Sequence, residues 1–148
     1  MVVGWSFGGS PCFKVAGKEP TRLRGVATVA SQTAQTEGVH RMSPRPLLLL
    51  HGTGDRVLSS SCSESLYNSY GAAGQRELKL FPGDDHGLTQ NAPEVEKLIF
   101  EFAAKCLGFD MLLDQETVDR ARQDLVESKE ERVKEMLEGR DLEREKLS

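Results

Sequence analysis

Four stretches of the chain are too apolar, or too regularly alternating, to be loop. Pro46-Leu47-Leu48-Leu49-Leu50-His51 is a continuous apolar run closed by Gly52, the pattern of a strand buried on both faces. Gly25-Val26-Ala27-Thr28-Val29-Ala30 is β-prone, and Arg76-Glu77-Leu78-Lys79-Leu80-Phe81 alternates until Pro82-Gly83 stops it. Met1-Val2-Val3 reads as the end of a buried strand entering the glycine-rich turn Gly4-Trp5-Ser6-Phe7-Gly8-Gly9. Between these runs, helical spacing predicts helices over about 10–18, 61–74 and 93–107. In the third, Pro93 suits a first helical turn, and Val95, Leu98, Ile99, Phe102, Ala103 and Cys106 form one apolar stripe. Strands that are apolar rather than half polar, alternating with helices, predict an α/β fold: a mostly parallel sheet of about four strands flanked by helices.

The pattern changes after residue 109. Residues 1–109 carry 11 basic and 10 acidic side chains, leaving 8 and 13 for residues 110–148. All six prolines and all but one of the glycines fall in the first part. Val118, Ala121, Leu125, Val133, Met136 and Leu137 recur at three- and four-residue steps in the second, among pairs such as Glu130 and Lys134 that support a helix surface. The prediction is a folded part, 1–109, followed by a C-terminal charged helix, 110–148, that is either solvated or docked on a partner.

Composition narrows the class of protein. A chain of 148 residues with 38% hydrophobic and 28% charged residues suits one soluble domain. The net charge of -4 and the lack of a basic block argue against a nucleic-acid partner. The longest apolar run, Leu47–Leu50, is far short of the roughly 20 residues of a membrane span. Met1-Val2-Val3 lacks the basic start and apolar core of a secretory signal. Cys12, Cys62 and Cys106 form no CxxC and no Cys/His pair at metal spacing, so the expectation is a reducing, cytoplasmic setting with no disulfide framework, cofactor or metal.

Three loops carry candidate chemistry. Gly4-Trp5-Ser6-Phe7-Gly8 fits GxSxG, in which a serine sits on a tight strand-to-helix turn with its hydroxyl above the sheet. The turn strains the serine backbone, and side chains at Gly4 and Gly8 would collide with the neighbouring strand or helix. Alone the motif is weak, since a chain of this size matches it by chance roughly one time in twenty. Asp55, in His51-Gly52-Thr53-Gly54-Asp55, lies just beyond the apolar strand, where open α/β sheets place working residues. Capping the following turn is the competing role for Asp55. His86, in Pro82-Gly83-Asp84-Asp85-His86-Gly87, also lies just past a strand, and His40 and His51 are its competitors as a base. The order Ser, Asp, His after successive strands is what a nucleophile, an orienting acid and a general base on one sheet edge require. Asp84 and Asp85 adjoin the histidine and are read as shaping its loop.

These motifs together resemble the C-terminal half of an α/β-hydrolase-fold serine hydrolase, over about Val2 to Leu107. GWSFGG, PLLLLHGTGDRVL and ELKLFPGDDHGLT match that family in order and spacing. The second and third resemble most the dienelactone-hydrolase and prolyl-oligopeptidase-like branch, with its HGxxD and GxxH loops. The resemblance implies Ser6 as nucleophile, His86 as base, Asp55 as the acid that holds the imidazole, and the backbone N–H of Phe7 as one oxyanion donor. It implies cleavage of an ester, thioester or amide in a small-molecule or peptide substrate through an acyl-enzyme, without a cofactor. Trp5 and Phe7 are expected as apolar walls or as packing beside the elbow, and Gln32–Ser43 as a small cover.

The family sheet has about eight strands, and its earlier half supplies the central strands and the second oxyanion donor. The expectation is therefore an N-terminally truncated domain with an open sheet edge at the elbow strand, marginal stability and impaired turnover. The alternative function is a non-catalytic interaction protein that binds a partner through that edge or through the tail.

Overall fold

A computed structural model describes residues 1–71 and 73–109, together with Arg120 and Gln123. The predicted tail, 110–148, otherwise lies outside the described residues. The strands are β1 (Val2–Trp5), β2 (Val26–Val29), β3 (Leu47–Gly52) and β4 (Arg76–Phe81); the helices are α1 (Gly9–Lys18), α2 (Ser61–Ser69) and α3 (Ala92–Leu107). They build a partial α/β-hydrolase fold: a sheet in the order β1-β2-β3-β4 with every pairing parallel. Parallel neighbours need a crossover, which α1, a 3-10 turn at Glu37–Arg41, and α2 supply.

Alternation along the strands sorts the core into two layers. Val26, Leu47 and Leu49 pack with Phe13 and Ala16 of α1, with Val39 and Met42, and with Leu66 of α2. Ala27, Val29, Leu48 and Leu50 face the other way, onto Phe81, Leu88 and Val95, with Leu98, Ile99 and Phe102 of α3 against them. Every residue of β3 is buried, which is why its sequence is an unbroken apolar run. Burial of each of its leucines contributes about 1.5–3 kcal/mol before conformational entropy is charged against it.

One expectation needs correction. The helix predicted over 61–74 stops at Ser69, because Tyr70 is drawn into the core with its hydroxyl donating to the Arg45 carbonyl at 2.7 Å. Gly71 (φ 105°) then turns the backbone into a region closed to helix. Of the stretch Gln32–Ser43, expected as a small cover, Val39 and Met42 are buried in the layer beneath α1, and the Gln35 carbonyl accepts from Ser10 Oγ at the start of α1. Among the described residues no helix is long and apolar enough to cross a membrane.

Candidate active site

A parallel sheet delivers all its strand ends to one edge. Ser6 follows β1 directly, Asp55 lies three residues past Gly52 of β3, and His86 lies five past Phe81 of β4. At about 4.8 Å per strand, β1 and β4 stand about 14 Å apart, so the loops must lean inward for these side chains to meet.

Ser6 has φ 54°, a left-handed conformation that a non-glycine residue holds only when its surroundings impose it. Gly4 is needed there for space: a Cβ would lie 2.5 Å from the Gly8 carbonyl oxygen and 2.8 Å from Cys12 Sγ. The same expectation fails for Gly8, which has φ −62° and open space where its Cβ would be. Gly9 takes that packing role, since its Cβ would run into the Ser31 side chain.

Asp55 makes contacts through both of its carboxylate oxygens. Oδ1 accepts the backbone N–H of Val57 at 2.7 Å and of Leu58 at 2.9 Å, closing the turn. Oδ2 lies 2.6 Å from His86 Nδ1, and His86 Nε2 lies 3.0 Å from Ser6 Oγ. A carboxylate oxygen can only accept, so Nδ1 carries the proton and the Nε2 lone pair faces the serine hydroxyl. Burial pushes the Asp55 carboxyl up, but the N–H donors of Leu58, His86 and Val57 outweigh it and hold the group below the usual carboxylate range. The Asp55 side chain has no exposure, while that of His86 keeps 19%.

The loop from Pro82 to Asn91 carries His86 inward because it is tied at many points. Asp84, buried, accepts from the backbone of Asp85, Gln90 and Asn91 and from the Asn91 amide. Asp85 accepts from Gly87 and from Thr89 backbone and hydroxyl. Both therefore shape the loop, as expected. The loop also closes directly on the Asp55 turn: Gly54 N–H donates to the Asp84 carbonyl at 2.9 Å, and Gly83 N–H to Thr53 Oγ1 at 2.8 Å. Gly52 permits that approach, because a Cβ there would lie 2.7 Å from the Asp85 carbonyl oxygen and closer still to that of Asp84.

Three further placements were not read from the sequence. Trp5 Nε1–H donates to the His86 carbonyl at 3.1 Å, with the two rings 5.7 Å apart, so the elbow clamps the histidine loop. His51, a competitor for the base, is buried behind Asp55, its Nε2 3.1 Å from Oδ2. His40, the other competitor, is exposed on the 3-10 turn. Trp5 and Phe7 are 59% and 67% exposed beside Ser6, so neither forms a closed wall. A cavity of about 460 Å³ lies at the opposite end of the strands, bordered by Pro46, Leu47, Tyr67, Arg76, Phe102 and Lys105. Among the described residues no group of three or more His, Cys, Asp and Glu is arranged to hold a metal ion.

The fold and this edge define the architecture of an α/β hydrolase, and comparison with solved structures agrees. The chain is similar to a monoacylglycerol lipase from Paleococcus ferrophilus, at TM-score 0.61 and 16% identity, covering 70% of this chain and 67% of that one. It is similar to Est1E from Butyrivibrio proteoclasticus, at TM-score 0.58 and 15% identity, covering 72% and 60%. It is also similar to the esterase domain of a Rhodothermus marinus protein, at TM-score 0.52 and 20% identity, covering 61% and 53%. The match thus spans about half to two thirds of the length of these structures. No family model and no curated protein matches the chain.

Proposed function

We propose that the chain is a serine hydrolase that cleaves an ester, thioester or amide through an acyl-enzyme on Ser6. The observation that carries this reading is the continuous hydrogen-bonded path Ser6 Oγ, His86 Nε2, His86 Nδ1, Asp55 Oδ2, at 3.0 and 2.6 Å. In it, Ser6 Oγ attacks the acyl carbonyl as its proton passes to His86 Nε2, and Asp55 stabilises the imidazolium and keeps it oriented. The tetrahedral oxyanion forms beside the Phe7 N–H, which lies in the first turn after β1, where backbone donors lack helical partners. His86 returns the proton to the leaving group, then activates water to release the acyl group from Ser6.

Among substrates, carboxylic esters have the most support: the similar proteins include an esterase domain and a monoacylglycerol lipase, and Est1E has been seen with ferulic acid bound. The exposed rings of Trp5 and Phe7 on either side of Ser6 favour an apolar or aromatic small-molecule acyl group.

A second reading, a non-catalytic interaction protein, draws on β1. The strand pairs only with β2 among the described residues, and Val3 and Trp5 are exposed along it, with Phe7 exposed just beyond its end. A fluorophosphonate probe separates the two. Covalent labelling that disappears in Ser6→Ala and His86→Ala but persists in His40→Ala supports the hydrolase. Absence of labelling in the folded wild-type chain rejects it in favour of the interaction reading.

A further inference from the structure

Two imidazoles present ring nitrogens to one oxygen: His86 Nδ1 at 2.6 Å and His51 Nε2 at 3.1 Å from Asp55 Oδ2. His51 continues the row of Leu47 and Leu49 on β3, on the face covered by α2. Its ring is fully buried, with Nδ1 2.7 Å from Ser63 Oγ of α2 and Nε2 also 3.0 Å from the Leu58 carbonyl. The protons can be assigned from the partners alone. Nε2 faces a carboxylate and a carbonyl, both acceptors only, so it carries a hydrogen; Nδ1 faces a hydroxyl that can donate to it. Leu58 closes the circuit, since its own N–H donates to Asp55 Oδ1.

The torsion of an aspartate carboxyl is broad. The backbone donors of Val57 and Leu58 grip only Oδ1, and on the His86 side Oδ2 meets a ring on a loop. The His51 N–H supplies a fixed second donor to Oδ2 from the sheet, and by holding the Leu58 carbonyl it also fixes one of the donors to Oδ1.

We propose that His51, oriented by Ser63, is a positioning residue for Asp55: it fixes the carboxylate rotation that points Oδ2 at His86 Nδ1. The consequence for turnover rests on the serine-hydrolase reading, whereas the placement of the proton on His51 does not.

Nitrogen-15 NMR of the histidine rings in the wild-type chain tests the placement. Nε2–H protonation of His51 is expected, and an unprotonated Nε2 overturns the proposal whatever the activity. Two variants test the consequence. In His51→Gln the amide nitrogen reaches the place of Nε2 with two hydrogens, one for each acceptor, so the low-field His86 Nδ1–H resonance and the fluorophosphonate labelling rate should stay within about 3-fold of wild type. In His51→Leu the resonance should shift or vanish and labelling should fall by about 100-fold, the scale of a misplaced catalytic geometry. Wild-type resonance and labelling in His51→Leu, or losses in His51→Gln as large as in His51→Leu, overturn the proposal. Should His51→Leu fail to fold, the wild-type tautomer and the resonance of His51→Gln still decide it. A wild-type chain that does not label rejects the hydrolase reading alone, because the two NMR observations remain.

Discussion

Asp55 and His86 follow the adjacent strands β3 and β4, whereas Ser6 follows β1 at the other edge of the sheet. The first two loops are joined to each other through Gly54, Thr53 and Gly83, and each has a buried carboxylate gathering backbone N–H groups. The elbow, by contrast, reaches them through two hydrogen bonds to His86, from Ser6 Oγ and from Trp5 Nε1. Asp55 and His86 are therefore held by their own half of the edge, and Ser6 is brought to them across β2. Preorganisation is a property of the β3–β4 half, and alignment is a property of the elbow. These two properties fail differently, which makes the contrast open to experiment.

The largest effect is expected from Asp55→Asn. The amide has one accepting oxygen, so it either abandons the N–H groups of Val57 and Leu58 or turns its NH2 toward His86 Nδ1. The second arrangement moves the imidazole proton to Nε2, against Ser6. Labelling of Ser6 should fall by about 10⁴-fold, the cost of a wrong tautomer in a comparable triad, with the elbow and the far side of the sheet unchanged. A loss below 10-fold would show that the β3–β4 half does not orient His86.

A pair of glycines gives the next largest difference, with opposite signs. Gly52→Ala sets a methyl against the carbonyls of Asp84 and Asp85, which are backbone and cannot swing aside. Overpacking of this kind costs about 1–3 kcal/mol, and the Asp55 and His86 loops should separate, so labelling should fall along with the melting temperature. Gly8→Ala meets nothing and has helical φ, so it should leave stability unchanged or raise it by up to about 1 kcal/mol. Equal shifts of the two variants in thermal or urea denaturation would erase the contrast between the tied half and the open elbow.

The same pair marks what could be read in the chain before its fold was known. The β3 run was legible because every one of its residues is buried, and α3 because its stripe faces one layer and ends at Gly108 in a left-handed conformation. Ser6, Asp55 and His86 were legible because a parallel sheet converts order along the chain into proximity at one edge. Which glycine of Gly8-Gly9 is needed was not legible, since only the approach of Ser31, twenty-two residues on, decides it. His51 carried a signal: it stands on the Leu47 and Leu49 side of the alternation, which points it into the layer beneath α2 and away from a role as base. The identity of its partner, Ser63, depends on how α2 docks, and local pattern does not contain that. The hydrogen bond of Trp5 was not legible, because its acceptor lies on a loop some eighty residues away.

Trp5 supplies the smallest expected effect and the finest test of alignment across the sheet. Its indole N–H donates to the His86 carbonyl at 3.1 Å while its ring lies tilted against the imidazole, 5.7 Å between centroids. Trp5→Phe keeps an aromatic ring beside His86 and removes the donor. The bond is exposed and neutral, so it contributes about 1 kcal/mol. If that energy goes into holding His86 toward Ser6, labelling should drop by about 5-fold while the melting temperature, set by the two buried layers, stays put. Trp5→Ala removes the ring as well and should cost more. A Trp5→Phe variant that labels at the wild-type rate would mean that the Ser6 hydroxyl and His86 find each other without the clamp, and that the packing of α1 on β1 and β2 aligns the elbow by itself.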